Sequence, residues 1–366
     1  MMRGRRALTR VVVLLALLSV LVAGGLWAQG RHGTTSFVLR TIAVGGQPLA
    51  VGVDHTSGRG FVANGIRTVS MFDARAGTVL RTVPVGVVPD AVAVDDRARR
   101  VFVANARSNS VSVLDAQTGR VLRSIAVGDG PAALAVDTRA KHVFVVNSGG
   151  NSVSMVAAAT GQVLRTIPVP RAPQAIAEDA QTGRAFVASG VANTVTVLDT
   201  HSGAIVRTIT VGGTPTAVVA DERARRIFVA TLNSGSVSVL DARNGVLLGT
   251  LAVSRGVQTL AVDRRAGRIV ALSITGIGLT TTGRVDVLDE QSGEILHSVA
   301  MSGVSGTPGA VAVDEQAGQV FVIGRPIPSP QATRLRAWLR RWLPWALPPT
   351  PPDSGTGTIS VLDVAH

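Results

Sequence analysis

Ten aspartates recur at matched places along the chain. Asp95, Asp137, Asp221, Asp263 and Asp314 each end a short run of small and branched apolar residues, while Asp73, Asp115, Asp199, Asp241 and Asp289 each end a segment of the form Val-Ser-Val-Leu-Asp. Carboxylates at regular spacing have two chemical readings, as oxygen ligands for calcium or as acids and bases. The residues that follow favour a plainer one. Asp115 leads into Ala-Gln-Thr-Gly119, and its counterparts lead into similar polar, Gly-containing stretches, so each carboxylate can accept backbone N–H bonds in a turn while Gly supplies positive φ. The unit that starts at Val153 has Ala157 in place of the Asp and otherwise continues unchanged, as turn chemistry allows.

Little other catalytic chemistry is on offer. The chain has no Cys, which removes disulfides, thiolate catalysis, Cys-ligated metal and a lipid-modified Cys together. No metal-binding, phosphate-loop or nucleophile motif is present, so no metal and no cofactor are expected. A net charge of +13 points to an anionic partner only if the charge is concentrated, so its distribution matters more than its sum.

The elements that must position these residues are set by a repeat. The Val-Ser-Val-Leu-Asp segment starts at Val69, Val111, Val153, Val195 and Val237, 42 residues apart each time, and again at Val285 and Ile359. Three further segments keep step with it: Pro-Asp-Ala-Val-Ala-Val-Asp from Pro89, Phe-Val-Ala-Asn from Phe102, and Val-Leu-Arg-Thr-Ile-like runs from Val38, Val79, Val121, Val163 and Ile205. Each unit therefore holds four short strands, and a fixed period of this length signals stacked supersecondary units.

The four segments in this order resemble the YVTN family of β-propeller repeats over residues 37–366, with Phe where that family has its Tyr. The resemblance implies an all-β, seven-bladed propeller of four-stranded antiparallel blades, with Pro-x-x-Val-Ala-Val-Asp as innermost strand a and the Leu-Arg-Thr-Ile run as outer strand d. Small residues on strand a suit blades that converge on an axis. Arg40, Arg81, Arg123, Arg165 and Arg207 recur at one position of strand d, where charge guards an exposed edge against pairing with another chain. The chain begins on a lone d strand and ends on a lone c strand. The seventh blade is expected to close by pairing the N-terminal strand d with the C-terminal strands a to c, in one domain of monomeric size.

Strand direction alternates, so the a–b and c–d turns share one face, here the bottom, and the b–c and d–a loops share the top. Basic and acidic residues balance on the bottom, but ten basic residues stand against three acids on top. That surplus rests on Arg67, Arg107, Arg171, Arg255, Arg284, Arg325 and one inserted loop, which together make the top face the expected site for a protein or small-ligand partner. The inserted segment, about 325–356, carries an amphipathic helix pattern that starts after Ser329-Pro330 and stops at Pro344. Leu335, Trp338, Leu339, Trp342 and Leu343 form its apolar side, flanked by Arg334, Arg336, Arg340 and Arg341. Three surfaces suit such a helix: its own propeller, an anionic membrane, or a partner, including single-stranded nucleic acid stacked on Trp.

Arg3, Arg5, Arg6 and Arg10 ahead of an apolar run over 11–28 read as a signal peptide or an uncleaved membrane anchor, followed by a linker over 29–36. Either way the propeller is expected outside the cytoplasm. The YVTN resemblance allows lactonase-type hydrolysis, redox-enzyme association and single-stranded DNA binding. Against catalysis, His32, His55, His142, His201, His297 and His366 are scattered over linker, turns and strands, with none expected at the axial mouth. The residues thus favour a non-enzymatic ligand-binding or protein-interaction scaffold, with a lactonase-like hydrolase and a nucleic-acid binder as alternatives.

Overall fold

The computed structural model describes residues 38–275, 282–302, 310–323, 325–326 and 357–363. The leader over 1–28, the linker over 29–36 and the helix expected between Pro330 and Pro344 lie outside these residues. The regular elements described are strands, joined by short turns, apart from one short 3-10 helix, Ala106–Ser108. The strands form seven antiparallel sheets, one per blade. Blade 2 shows the plan, with strand a at Pro89–Asp95, b at Arg100–Asn105, c at Ser110–Asp115 and d at Val121–Ala126 hydrogen-bonded in that order. Blade 1 begins with strand a at Pro48–Asp54, and the seventh sheet joins Val311–Asp314, Gln319–Ile323 and Thr358–Asp363 to Val38–Ala43 at its outer edge. In that sheet Ile42 stands opposite Ile359. The sheet of blade 6 gains a fifth strand, because Arg325–Pro326 pairs with Ser302 and Met301 outside its strand d.

The aspartates do what the turn chemistry requires. Asp115 Oδ1 accepts the N–H groups of Gln117 and Thr118 at 3.1 and 2.7 Å, and Asp137 Oδ1 accepts those of Arg139 and Ala140 at 2.8 Å each. These bonds favour the ionised form, so Asp115, held first by the Thr118 hydroxyl and then by its N–H, titrates below the ordinary carboxylate value.

No blade owns a core. Each apolar cluster is shared by two neighbouring blades: Phe144, Val146 and Val153 of blade 3 pack with Ile176, Ala185 and Val187 of blade 4, and Phe321, Ile359 and Val361 of blade 7 pack with Val51, Val62 and Phe72 of blade 1. Phe61, Phe102, Phe144, Phe186, Phe228 and Phe321 occupy one position of strand b and are fully buried. Burial of each such ring contributes about 1.5–3 kcal/mol, so blade-to-blade contact is the main source of stability. Blade 1 has a local exchange. Gly60 stands where blade 2 has Val101, and Phe72 opposite it where blade 2 has Leu114, so the ring fills the space that the missing side chain leaves.

The strand-d arginines do more than guard an edge. Arg81, Arg165 and Arg207 each reach the c–d turn of the next blade, donating to the carbonyls of Thr118, Ser202 and Asn244 at 3.0, 2.9 and 3.0 Å. Arg40, on the outer strand of blade 7, donates to the carbonyls of Ala74 and Arg75 in blade 1. At these four places the repeated Arg is therefore a clamp between blades, set by the stacking of one sheet on the next.

Candidate functional site

Strand a of each blade runs along the axis, and in blades 1 to 6 its pairing with strand b skips the second residue, as between Pro131 and Ala133. The skipped residues leave the ladder near the top. Two of them tie neighbouring blades together, Gln174 Nε2 donating to the Pro215 carbonyl at 2.5 Å and Thr216 Oγ1 to the Val257 carbonyl at 2.8 Å. Asp90 is a third, and burial raises its pKa.

The bottom end of the axis is different. A cavity of about 310 Å³ opens there, walled by Ala135, Val136, Ile176, Ala177, Val218, Val219, Val262 and Val313 from strands a of blades 3 to 7. Four polar side chains share its lining: His55, Glu178, Arg264 and Glu315. Three of them follow the Asp that ends strand a. Around the ring that place is held by His55, Asp96, Thr138, Ala180, Glu222, Arg264 and Glu315, so charges of opposite sign alternate over much of the rim. Arg264 Nη1 lies 3.7 Å from Glu315 Oε1 in blade 7, and its Nη2 donates to the Ala220 carbonyl in blade 5 at 3.3 Å. His55 Nδ1 lies 3.8 Å from Asp314 Oδ1, an ion-pair contact between blades 1 and 7 that is too long for a close hydrogen bond. Interaction with the Asp314 carboxylate raises the His55 pKa against the opposing effect of burial, and the same contact lowers that of Asp314. Asp96, beside them, is raised by burial to about 6.

Glu178 lies deeper. It occupies the sixth place of strand a, where the other blades have Val53, Val94, Val136, Ala220, Val262 and Val313. Its Oε1 is shielded from solvent and has no hydrogen-bond partner. Burial first, then the carboxylates of Asp137, Glu222 and Asp179, raise its pKa to about 9, with Arg264 opposing. At neutral pH the group is a neutral acid on an apolar wall.

The residues expected to form a site on the top face come from different blades. Arg67, Arg107, Arg171 and Arg255 are exposed on separate loops. Arg284 is committed to the protein: its Nε donates to the buried Asp286 carboxylate at 2.9 Å and to Ser298 Oγ at 2.6 Å. Arg325 lies on the short added strand of blade 6, and Arg334, Leu335, Arg336, Trp338, Leu339, Arg340, Arg341, Trp342 and Leu343 lie outside the described residues. The expectation that no histidine reaches an axial mouth needs correction, because His55 lines the bottom one. Glu178, Arg264 and Glu315 were not singled out by the sequence. Aligning the repeats column by column displays them, as the lone acid in a Val and Ala column and as charged residues directly after the strand-a Asp.

A family model described as YNCE-like beta-propeller matches residues 123–226, which run from strand d of blade 2 to the start of strand b of blade 5. A comparison with curated protein sequences finds no significant match.

Proposed function

We propose that the chain, whose seven four-stranded blades and YNCE-like match over 123–226 fit a propeller of the YVTN type, is a binding protein working outside the cytoplasm, with its small-ligand site in the axial well on the bottom face. The observation that carries this reading is the well itself, a cavity on the axis lined by Val, Ala and Ile residues with a few converging polar side chains, which is a common form of a small-molecule site. The basic flank and apolar run over 1–28 support the location, and the Arg- and Trp-bearing segment over 325–356 supports contact with an anionic membrane surface. A thermal-shift screen of small metabolites against the full chain, repeated on Arg264→Ala and on Glu178→Val, tests the site. A ligand at about a hundred times its Kd adds about 2.7 kcal/mol to stability, which is readily seen. Ligands that stabilise wild type and both variants equally would move the site elsewhere. A reporter fused after His366 that is active only outside the cytoplasm tests the location.

A second reading, a lactonase-like hydrolase, has one observation in its favour: His55 in the well with Asp314 behind it has the layout of a base with its orienting carboxylate. The electrostatics weigh against it. A base is most useful unprotonated near neutral pH, and the contact with Asp314 raises the His55 pKa. Turnover of simple lactones that is lost in His55→Ala would reverse this order.

A further inference from the structure

Five of the seven blades place Val at the sixth position of strand a and one places Ala, so the wall of the well is apolar by repetition. Blade 4 alone carries a carboxyl there, with an oxygen that is both shielded and unpartnered. A half-buried carboxyl with one shielded, unsatisfied oxygen costs stability, and a side chain of Val at this place would pack as it does in the neighbouring blades. A group that is costly to the fold and points into a cavity is best explained by something that enters the cavity. We propose that the well binds a small organic cation, an alkylammonium, with its nitrogen on Glu178 and its hydrocarbon against the Val and Ile wall.

This rests on the reading of the well as the ligand site and adds the ligand's chemical class. Three observations select a cation. The charged groups that face Glu178 are Asp137 from strand a of blade 3, Asp179 on its own strand, Glu222 from blade 5 and Arg264 from blade 6, three acids against one base. Arg264 is already engaged with Glu315 and the Ala220 carbonyl, which leaves it poorly placed to hold an anion. Among the described residues no three His, Asp or Glu side chains stand close enough to share a metal ion, so the donor set suits a single N–H-bearing charge better than a bare divalent one. The apolar wall selects the rest of the molecule. A cavity of about 310 Å³ holds roughly ten waters at about 30 Å³ each, space for an amine of four to six carbons.

The proton balance follows from the state of Glu178. The free protein holds a neutral carboxyl, and the ligand arrives as an ammonium ion. Binding leaves a carboxylate–ammonium pair and releases one proton to the buffer. The ammonium pairs with the Glu178 carboxylate, and the more distant Asp137, Asp179 and Glu222 favour it through their charge.

The test is calorimetric titration of n-butylammonium chloride into the full-length protein in a mild non-ionic detergent, at pH 7 in two buffers of different ionisation enthalpy. Saturable binding with about one proton released per ligand is expected, tightening about fourfold per methylene from ethyl- to hexylammonium. Glu178→Gln and Glu178→Val should weaken it at least about tenfold, since they remove the charge that pairs with the ammonium. Glu178→Val also matches the other blades and is expected to fold at least as well as wild type. Butan-1-ol, an uncharged analogue, should bind at least about tenfold more weakly. No saturable butylammonium binding, or equal binding by the Glu178 variants, overturns the proposal. Carboxylate anions binding in place of the amine, with loss on Arg264→Ala, would overturn the cation assignment while leaving the well as the ligand site.

Discussion

Gly60 and Phe72 form the sharpest test of how the blades are packed. A Cβ on Gly60 would lie 2.0 Å from Phe72 Cζ, and Phe72 is held from the other side by Phe321 of blade 7, with ring centroids 5.6 Å apart. Gly60→Val therefore pushes an isopropyl group into a ring that has nowhere to turn. Overpacking costs roughly 1–3 kcal/mol, and the short contact places this case at about 3 kcal/mol. Phe72→Leu alone leaves part of the ring's volume empty and breaks the aromatic pair, together roughly 2–3 kcal/mol. If the two sites were independent, the double variant would lose roughly 5–6 kcal/mol. Blade 2 shows why it should not, since Val101 and Leu114 occupy the same two places and are fully buried. The double variant should lie within about 1–2 kcal/mol of wild type, a coupling of at least about 3 kcal/mol. Urea unfolding followed by far-ultraviolet circular dichroism, with unchanged m-values, measures this cycle. A Gly60→Val protein as stable as wild type, or a double variant with additive loss, would refute the packing argument.

Arg207→Ala should cost about 0.5–1 kcal/mol, because its bond to the Asn244 carbonyl is charge-assisted but exposed; Arg165→Ala should add to it independently, and no change in denaturation midpoint for either would remove the clamp. Glu178 has a folded pKa raised from 4.5 to about 9, so the unfolded chain gives up this proton first and wild type loses stability as pH climbs through that window. Glu178→Gln lacks this loss, and its advantage in urea midpoint should grow between pH 5 and pH 9; a pH-independent difference would count against the burial of the group. His55 has a raised folded pKa, so its pairing with Asp314 contributes fully below about 6.5 and fades as pH rises through the folded value. His55→Asn should therefore be destabilising at pH 5.5 and nearly silent at pH 9, as thermal melts at the two values would report. Protein lacking residues 1–28 should co-sediment with anionic liposomes at low salt and lose this when the segment from Ser329 to Pro352 is replaced by a short Gly-Ser loop; binding that survives the replacement would assign the membrane contact to another surface.

Much of the architecture was legible because a repeat repeats its local physics. The 42-residue spacing, the alternation within each strand and the Asp-led turns are properties of short windows, and the seven sheets follow those windows closely. Local windows also display the Gly60 and Phe72 exchange as two departures from their columns, but only the blade register puts them face to face. The strand-d Arg looked like an edge guard, since its partner carbonyl lies 37 residues on in the next blade and its reach depends on how two twisted sheets stack. The well was hidden for the same reason on a larger scale. His55, Glu178, Arg264 and Glu315 each sit in or beside a turn that, read alone, is a solvated surface turn, and each is separated from the next by at least fifty residues. A cavity on the axis belongs to the closed ring and to no single blade, so its lining and the raised pKa of Glu178 come into being only when the strands a are brought together around the axis.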